Sequence, residues 1–537
     1  MSPGSMAAAY GATFAVPHHT WECLPVTAHR PAAIIVLAAG EGTRMRSRRP
    51  KVLHEIGGRS LLGHALAAAR GAEPEHLVVV VRHERERVAA HVAAVDPDAL
   101  VADQDEVMGT GRAVECGLGA LPAELDGTVL VTYGDVPLLT PDTLRGLLEA
   151  HRSSGSAVTV ITATVADPTG YGRVLRRGDG GVAGIVEQGD ATEEQQAITE
   201  INSGLYAFEA AALREALGEV GTDNLQGEKY LTDVLAIAGA RGLTVTAHRI
   251  ADVWQTEGVN DKVQLARLGV ELNRRTVERA MRAGAIVIDP ATTWIDATVS
   301  IGEDTTIRPN TQILGATTIG ADCVIGPDTT LTDVEVGDRT SVARTQAELV
   351  LIGDDASVGP FSFLRPGTEL GSGGKIGGFV ETKNARIGAG AKVPHLTYCG
   401  DATVGAGANI GAGTIFANYD GVDKHHTSVG AHSFVGSNSV IVAPRTIADG
   451  AYVAAGSAVV SDVGPGQLGV TRARQRNVDG WVARRRAGTR TEAAAAAAGG
   501  AAGAPVEGAG TGSTGAAAEA AGVATVTDRH TDRDGGG

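Results

Sequence analysis

Two hydrophobic rhythms divide the chain. Up to residue 260, short apolar runs at 34–37, 77–81, 129–131 and 158–161 alternate with amphipathic stretches such as 61–69 and 143–151. Runs too short for helices, separated by helical segments, predict an α/β domain over 31–260. Its sheet is mostly parallel, with a Rossmann-like ligand cleft at the carboxyl ends of the strands. Over 261–284 the pattern turns purely helical: Leu265, Leu268 and Leu272 recur on one face and Gly284 supplies a stop, so one linking helix is expected. From 285 the period becomes six. Ile319 and Ile325, Val336 and Val342, Ile352 and Val358, Ile387 and Val393, Val404 and Ile410, then Val429, Val435, Ile441, Ile447, Val453 and Val459 keep the count. Six-residue periodicity marks a parallel β-helix, three short strands to a turn with the aliphatic residue inward, and the expected domain spans 285–486 including a C-terminal arm.

Chemistry concentrates where the first strand ends. The run Leu37-Ala38-Ala39-Gly40-Glu41-Gly42-Thr43-Arg44-Met45, completed by Pro50-Lys51, offers unobstructed backbone N–H groups and two fixed cations, which suits a nucleoside triphosphate. It is neither a Walker A loop nor a dinucleotide fingerprint. The run resembles that of the sugar-1-phosphate nucleotidyltransferases. Further motifs follow in order: Gln104, Gly109-Thr110-Gly111, Tyr133-Gly134-Asp135-Val136-Pro137, Asp167-Pro168-Thr169-Gly170-Tyr171-Gly172-Arg173, Ile185-Val186-Glu187, Ile201-Asn202-Ser203-Gly204 and Glu257-Gly258-Val259-Asn260. With these the chain, from about 34 to 481, is similar to the bacterial bifunctional N-acetylglucosamine-1-phosphate uridyltransferases/glucosamine-1-phosphate acetyltransferases. The β-helix likewise resembles the left-handed hexapeptide β-helix of acyltransferases, which assembles as a homotrimer.

The resemblance implies UTP and N-acetylglucosamine 1-phosphate as substrates of the first domain. Leu37, Ala38, the Gly40 backbone, Gln104, Gly109, Thr110, Tyr133 and Gly134 are expected around the nucleotide, and Gly172, Glu187 and Asn202 around the sugar. Arg44 and Lys51 carry the catalytic charge, and Asp135 with Asn260 is the expected Mg2+ site. Uridylyl transfer needs no strong base, because the attacking phosphate oxygen is already anionic; placement and charge neutralisation suffice. Taken singly, Gln104, Glu187 and Asn202 read as surface polar residues and Asp135 as a turn aspartate. Arg112 stands where the family usually has His.

Within the β-helix three stretches are too polar for plain coils: Phe363-Leu364-Arg365-Pro366-Gly367, Gly378-Phe379-Val380-Glu381-Thr382-Lys383-Asn384 and His395-Leu396-Thr397-Tyr398-Cys399-Gly400-Asp401. They match the family's acetyltransferase site. Acetylation of glucosamine 1-phosphate requires a neutral amine, and histidine is a base suited to neutral pH. His395 takes that role by resemblance, with Arg365 and Lys383 on the phosphate and Tyr398 and Asn409 on the sugar. Ala412, Asn418, Tyr419, Ser437, Ala455 and Arg472 coincide with positions around acetyl-CoA. His425 and His426 read better as a loop pair than as metal ligands. Gly378 replaces a usual Asn. On the repeats alone, a β-helix that merely oligomerises the enzyme stays open.

Composition adds exclusions. A formal charge of −16 over 537 residues argues against a nucleic-acid partner, so cation clusters must serve small anions. Cys23, Cys116, Cys323 and Cys399 are scattered without ligand spacing, as isolated thiols of a reducing cytoplasm are. No run is long enough to span a membrane, so a cytoplasmic protein is expected. Residues 1–30 read as a disordered extension without signal-peptide character. The Ala/Gly-rich stretch 487–537 reads as a disordered tail, having hardly any large apolar residue to offset its ordering entropy.

Overall fold

The structure is a computed structural model describing residues 30–501. Strands run in the order Val245–Arg249, Val158–Thr164, Glu200–Glu209, Thr128–Tyr133, Ala33–Leu37, His76–Val81 and Leu100–Asp103. All neighbouring pairs are parallel except those made by Glu200–Glu209, which is antiparallel to both its neighbours. The expected helices are present as Leu61–Gly71 and Pro141–Ser153. Both faces of Ala33–Leu37 are buried, its odd residues in one core and its even ones in another, which explains why it reads as an unbroken apolar run. Leu37 faces Tyr133 in register at the carboxyl ends of two central strands. Chain order reverses between them, and the crevice created there is where an α/β sheet binds ligands.

The helix Lys262–Arg282 falls within the expected linker and is capped by Asp261, whose carboxylate accepts from the Val263 and Gln264 N–H groups at 2.9 and 2.8 Å. It does more than connect. Leu268 is buried with Met45, Ile56, Leu61, Leu138 and Val259, whereas Val277, nine residues on, belongs to the β-helix core. Asn273 donates to Thr293 O at 2.8 Å and accepts from Ile295 N–H at 2.9 Å, closing the first coil onto the helix.

Beyond it, short parallel strands stack into the left-handed β-helix: Ile301 pairs with Ile319, Ile325 with Val342, Ile387 with Val404 and Val435 with Val453. All sixteen aliphatic positions of the six-residue count from Ile319 to Val459 are buried. Each contributes roughly 1.5 to 3 kcal/mol through removal from water. The coil continues past the last of them, for Val463 is buried and Leu468–Gly469 pairs with Tyr452–Val453. Thr471 then ends the stack by accepting from Ala458 N–H at 2.7 Å.

Residues from 473 form a separate unit. Within it Trp481–Arg485 is a short helix, and the Arg486 guanidinium lies 5.2 Å from the Trp481 ring centre. Disorder expected from residue 487 is corrected over 487–501, because Arg490–Ala501 is helical and Thr489 Oγ1 accepts from Glu492 N–H at its start. Alanine loses less entropy on entering a helix than any other residue, so poor packing did not preclude local order. Residues 1–29, with Cys23, and 502–537 lie outside the described residues. Cys116, Cys323 and Cys399 are free thiols, as expected. Among the described residues no helix is long and apolar enough to cross a membrane.

His64 gives the first domain a pH dependence. Burial pushes its pKa down to about 4, and its Nε2 lies 2.8 Å from Ile56 O. Between pH 4 and 6.5 the unfolded chain binds the proton and the native one does not, so stability rises with pH there and is lost on acidification. The contribution lost between pH 7 and pH 5 is about 2 kcal/mol. Denaturant midpoints of the first domain at the two pH values should therefore converge in His64→Gln by about that amount; an unchanged difference would remove His64 from the titration.

Candidate active sites

The first site is built on the paired strand ends. Gly134 N–H donates to Leu37 O at 2.9 Å, so the strand carrying Asp135 is locked to the start of the glycine-rich loop. Val259 N–H donates to Asp135 O at 3.0 Å and lays residues 257–260 alongside. Four polar side chains meet as a result. The Lys51 ammonium is paired with the Asp135 carboxylate, Lys51 Nζ lies 3.4 Å from Asn260 Oδ1, and Arg44 Nη2 donates to that same oxygen at 2.9 Å. Two hard oxygen donors thus converge on a point where a cation already sits. A divalent ion fits that donor set, with phosphates and water completing its shell. Among the described residues no three His, Cys, Asp or Glu side chains gather into an alternative centre.

Leu37, Ala38, Gly40, Lys51, Gln104, Gly109, Thr110, Tyr133, Asp135 and Asn260 line one cavity of about 370 Å³. Arg44 joins through Asn260, and Gly134 contributes its backbone link rather than a wall. Besides Glu41 of the glycine-rich run, two further charged groups, Arg82 and Glu228, also line the cavity. Neither stands in a motif; only the position of Arg82, directly after a buried strand, signalled it.

Gly172, Glu187 and Asn202 line the adjoining cavity, which shares Thr110, Tyr133 and Glu228 with the first. Burial raises the Glu187 carboxyl above the ordinary range, with Asp190 and Asp233 adding to the shift against a hydrogen bond from Thr232. Asn202 Oδ1 accepts from Gly204 N–H at 2.9 Å and from Tyr206 OH at 3.0 Å, which leaves its NH2 as the donor side. Gln226, Tyr230 and Thr232 complete the walls. The polar run ahead of the helix Asp233–Ala240 was their one sequence signal. Tyr133 forms part of both cavities and rests on Gly204, at φ +80°, where a Cβ would lie 2.3 Å from the ring.

The second site follows from the regular pitch of the coil. Gly413 N–H donates to His395 O, Asn438 N–H to Ala412 O and Gly456 N–H to Ser437 O, at 3.1, 2.7 and 2.8 Å. His395, Ala412, Ser437 and Ala455 therefore form one column down a corner of the prism, spanning about 14 Å at the inter-strand spacing. Below His395 the column holds small side chains only. Gly378 lies immediately above, paired with His395.

Around the neighbouring face Arg365 Nη1 is 3.0 Å from Glu381 Oε1. The Lys424 ammonium lowers the pKa of Lys383, while Asp401 opposes the shift. Ammonium groups that act on one another in this way suit an anion. Lys424, ahead of His425 and His426, stands in no motif that would mark it in the sequence. Asn418 is buried and donates to Asp401, with its Nδ2 3.4 Å from Tyr398 OH. Asn409 pairs with Lys392 and Phe434. The Tyr419 hydroxyl is turned onto Gly421 O within its own loop, and Arg472 stands one residue beyond the end of the coil.

A prediction follows from the Gly204 contact. Gly204→Ala should displace the Tyr133 ring and lower uridylyl transfer by about a hundredfold, while acetyl transfer stays at the parental rate. Equal rates in both assays would show that Tyr133 is not held by this contact.

Comparison with known proteins agrees with both halves. The MobA-like NTP transferase domain family matches residues 34–191, and the bacterial transferase hexapeptide family matches residues 298–333. The bifunctional protein GlmU of Pseudarthrobacter chlorophenolicus is 59% identical over 463 residues, 86% of this chain and 94% of that protein. That of Kineococcus radiotolerans is 60% identical over 459 residues, covering 86% and 93%. That of Micrococcus luteus is 55% identical over 493 residues, covering 89% and 98%. At such identity over nearly the full length of these relatives, with both domains and both constellations present, the chain belongs to the GlmU family of bifunctional transferases.

Proposed function

We propose that the two sites act in series, the second making what the first consumes. The chain is a bifunctional enzyme of UDP-N-acetylglucosamine synthesis, an acetyltransferase and a uridylyltransferase. The observation that carries the assignment of roles is the meeting of Asp135, Asn260, Lys51 and Arg44 at the wall of a cavity that opens into a second, sugar-sized one.

At the β-helix site His395 removes the ammonium proton of glucosamine 1-phosphate. The freed amine attacks the acetyl-CoA thioester, forming an amide and releasing the CoA thiol. Arg365, Lys383 and Lys424 hold the sugar phosphate, and Tyr398 and Asn409 the sugar. Ala412, Ser437 and Ala455 leave room for the extended pantetheine arm, while Asn418, Tyr419 and Arg472 serve the rest of acetyl-CoA.

In the nucleotidyltransferase domain a phosphate oxygen of N-acetylglucosamine 1-phosphate attacks the α-phosphorus of UTP, and pyrophosphate leaves. Gln104, Gly109 and Thr110 bind the uracil nucleotide against Leu37, Ala38 and Gly40, and Tyr133 and Gly134 wall off the sugar side. Gly172, Glu187 and Asn202 orient the acetylated sugar. Arg44 and Lys51 turn from Asn260 and Asp135 onto the phosphates, where they balance the charge that builds up in transfer. A magnesium ion held by Asp135 and Asn260 supplies the remaining neutralisation when bound.

A cytoplasmic homotrimer assembled through the β-helix completes this reading. The Phe361 and Phe379 rings stack 5.3 Å apart and are 55% and 63% exposed beside the His395 column, an apolar surface that a second copy of the chain would cover.

Free thiol and pyrophosphate release measured on one preparation test the assignments. Asp135→Ala should lose pyrophosphate release and keep thiol release, and His395→Ala should do the reverse. Retention of the targeted activity would remove that residue from its role. Arg472, at the end of the coil, is expected to complete a site whose His395 belongs to another subunit. Inactive His395→Ala chains co-refolded with inactive chains ending at Thr471 should then regain part of the thiol release; no recovery in demonstrably mixed trimers would assign each site to one chain.

A further inference from the structure

Four charged side chains that no step above uses run from the loop around the nucleotide base to the wall of the sugar cavity. Gln104 donates its Nε2 to Val107 O and Gly109 O at 2.9 and 3.2 Å, which folds residues 104–109 into a compact loop. Asp105, next in sequence, accepts from Val107 N–H at 3.1 Å and takes both Nε and Nη2 of Arg112. Arg112 Nη1 reaches Glu115 Oε2 at 2.7 Å, and Lys229 Nζ reaches the same oxygen at 3.0 Å. Burial alone would raise the Glu115 carboxyl, yet Arg112 and Lys229 together hold it below the ordinary range.

Lys229 is also fixed by its backbone. Its N–H donates to Met108 O at 2.9 Å, and its carbonyl accepts from Gly111 N–H at 2.8 Å. Leu231 N–H donates to Thr110 Oγ1 at 3.1 Å. The approach is so close that a Cβ on Gly109 would lie 2.3 Å from Lys229 O. On either side of Lys229 stand Glu228 and Tyr230, which line the sugar cavity.

We propose that Arg112, Glu115 and Lys229 are positioning residues that bind loop 104–110 and strap 228–232 into one unit, setting nucleotide affinity and base selectivity and coupling them to the sugar cavity. This rests on the reading of Gln104, Gly109 and Thr110 as nucleotide contacts. It also gives Arg112 a task suited to its guanidinium fork, which takes Asp105 through Nε and Nη2 and Glu115 through Nη1. The pairs at the Asp105 end are partly exposed and weak singly. Lys229, at 13% exposure, and the shared Glu115 oxygen make the assembly cooperative.

Pyrophosphate release by the full chain tests the proposal, with thiol release from the same samples reporting an intact fold. Glu115→Gln, Arg112→Gln and Lys229→Met should each raise KM for UTP roughly three- to tenfold. Alongside, kcat should change little and the preference for UTP over CTP should fall. The double variant Arg112→Gln with Lys229→Met should be no worse than the poorer single one, because both cut the same chain. Arg112→Lys should restore part of the loss. Asp105→Asn, at an exposed end where folding is not at stake, should reproduce the smaller effect if Glu115→Gln loses both activities.

Unchanged KM and selectivity, a fall in kcat alone, or multiplying losses in the double variant would overturn the proposal. Gln104→Ala separates the two ways it can fail. If Gln104→Ala raises KM while the ion-pair variants do not, only the positioning role falls; if Gln104→Ala is also silent, the base-site reading falls and takes the proposal with it.

Discussion

Crowded negative charge is the constraint on which the first domain is built. In the proposed reaction Asp135 stands next to a triphosphate and a sugar phosphate in the crevice between Leu37 and Tyr133. The chain meets this before any ligand arrives by setting Lys51 on Asp135 and Arg44 on Asn260. In the proposed reaction each cation would exchange one oxygen partner for another as the phosphates enter, so little new charge would have to be desolvated at that moment. The backbone links that hold this square together, from Gly134 to Leu37 and from Val259 to Asp135, also fix the start of the helix Lys262–Arg282. Asn260 N–H donates to Gln264 Oε1 at 2.7 Å, so the oxygen donor is mounted on the helix that enters the β-helix core.

The second domain solves a different problem with less means. A coil with an inward aliphatic residue at every sixth position gives its interior to packing, so its chemistry is mounted on faces and corners. Its regularity helps, because equal pitch brings residues far apart in sequence, His395 and Ala455, into a single file.

Periodicity made most of this architecture legible. Every aliphatic residue of the six-residue count went inside, and the helix from 262 stopped where Gly284, at φ +108°, required it. Asp135, Lys51 and Asn260, separated by up to 209 positions, met because each stood in an ordered motif next to a strand or helix end. Other features had no local mark. The antiparallel Glu200–Glu209 strand is mostly buried like its neighbours Thr128–Tyr133 and Val158–Thr164, and direction leaves no trace in burial. Arg82 and Glu228 line the first cavity through loop geometry, which single residues do not announce. The tail helix Arg490–Ala501 escaped because low hydrophobicity was weighed and alanine's intrinsic preference was not.

The loop carrying Asn418, Tyr419 and Lys424 shows what a counting scaffold permits. Tyr398 faces Ile415 while Ala402, four residues on, faces Thr427, twelve residues on, so eight extra residues have been spliced between two strands without disturbing the alignment above or below them. A closed core built from side chains of many elements would have to repack around such an insertion. Here the strands register against their own neighbours in the stack, and the surplus is simply extruded at a corner. Innovation in the acetyltransferase half is thereby uncoupled from folding: corners can lengthen, and acquire new polar groups, at little risk to the structure that displays them.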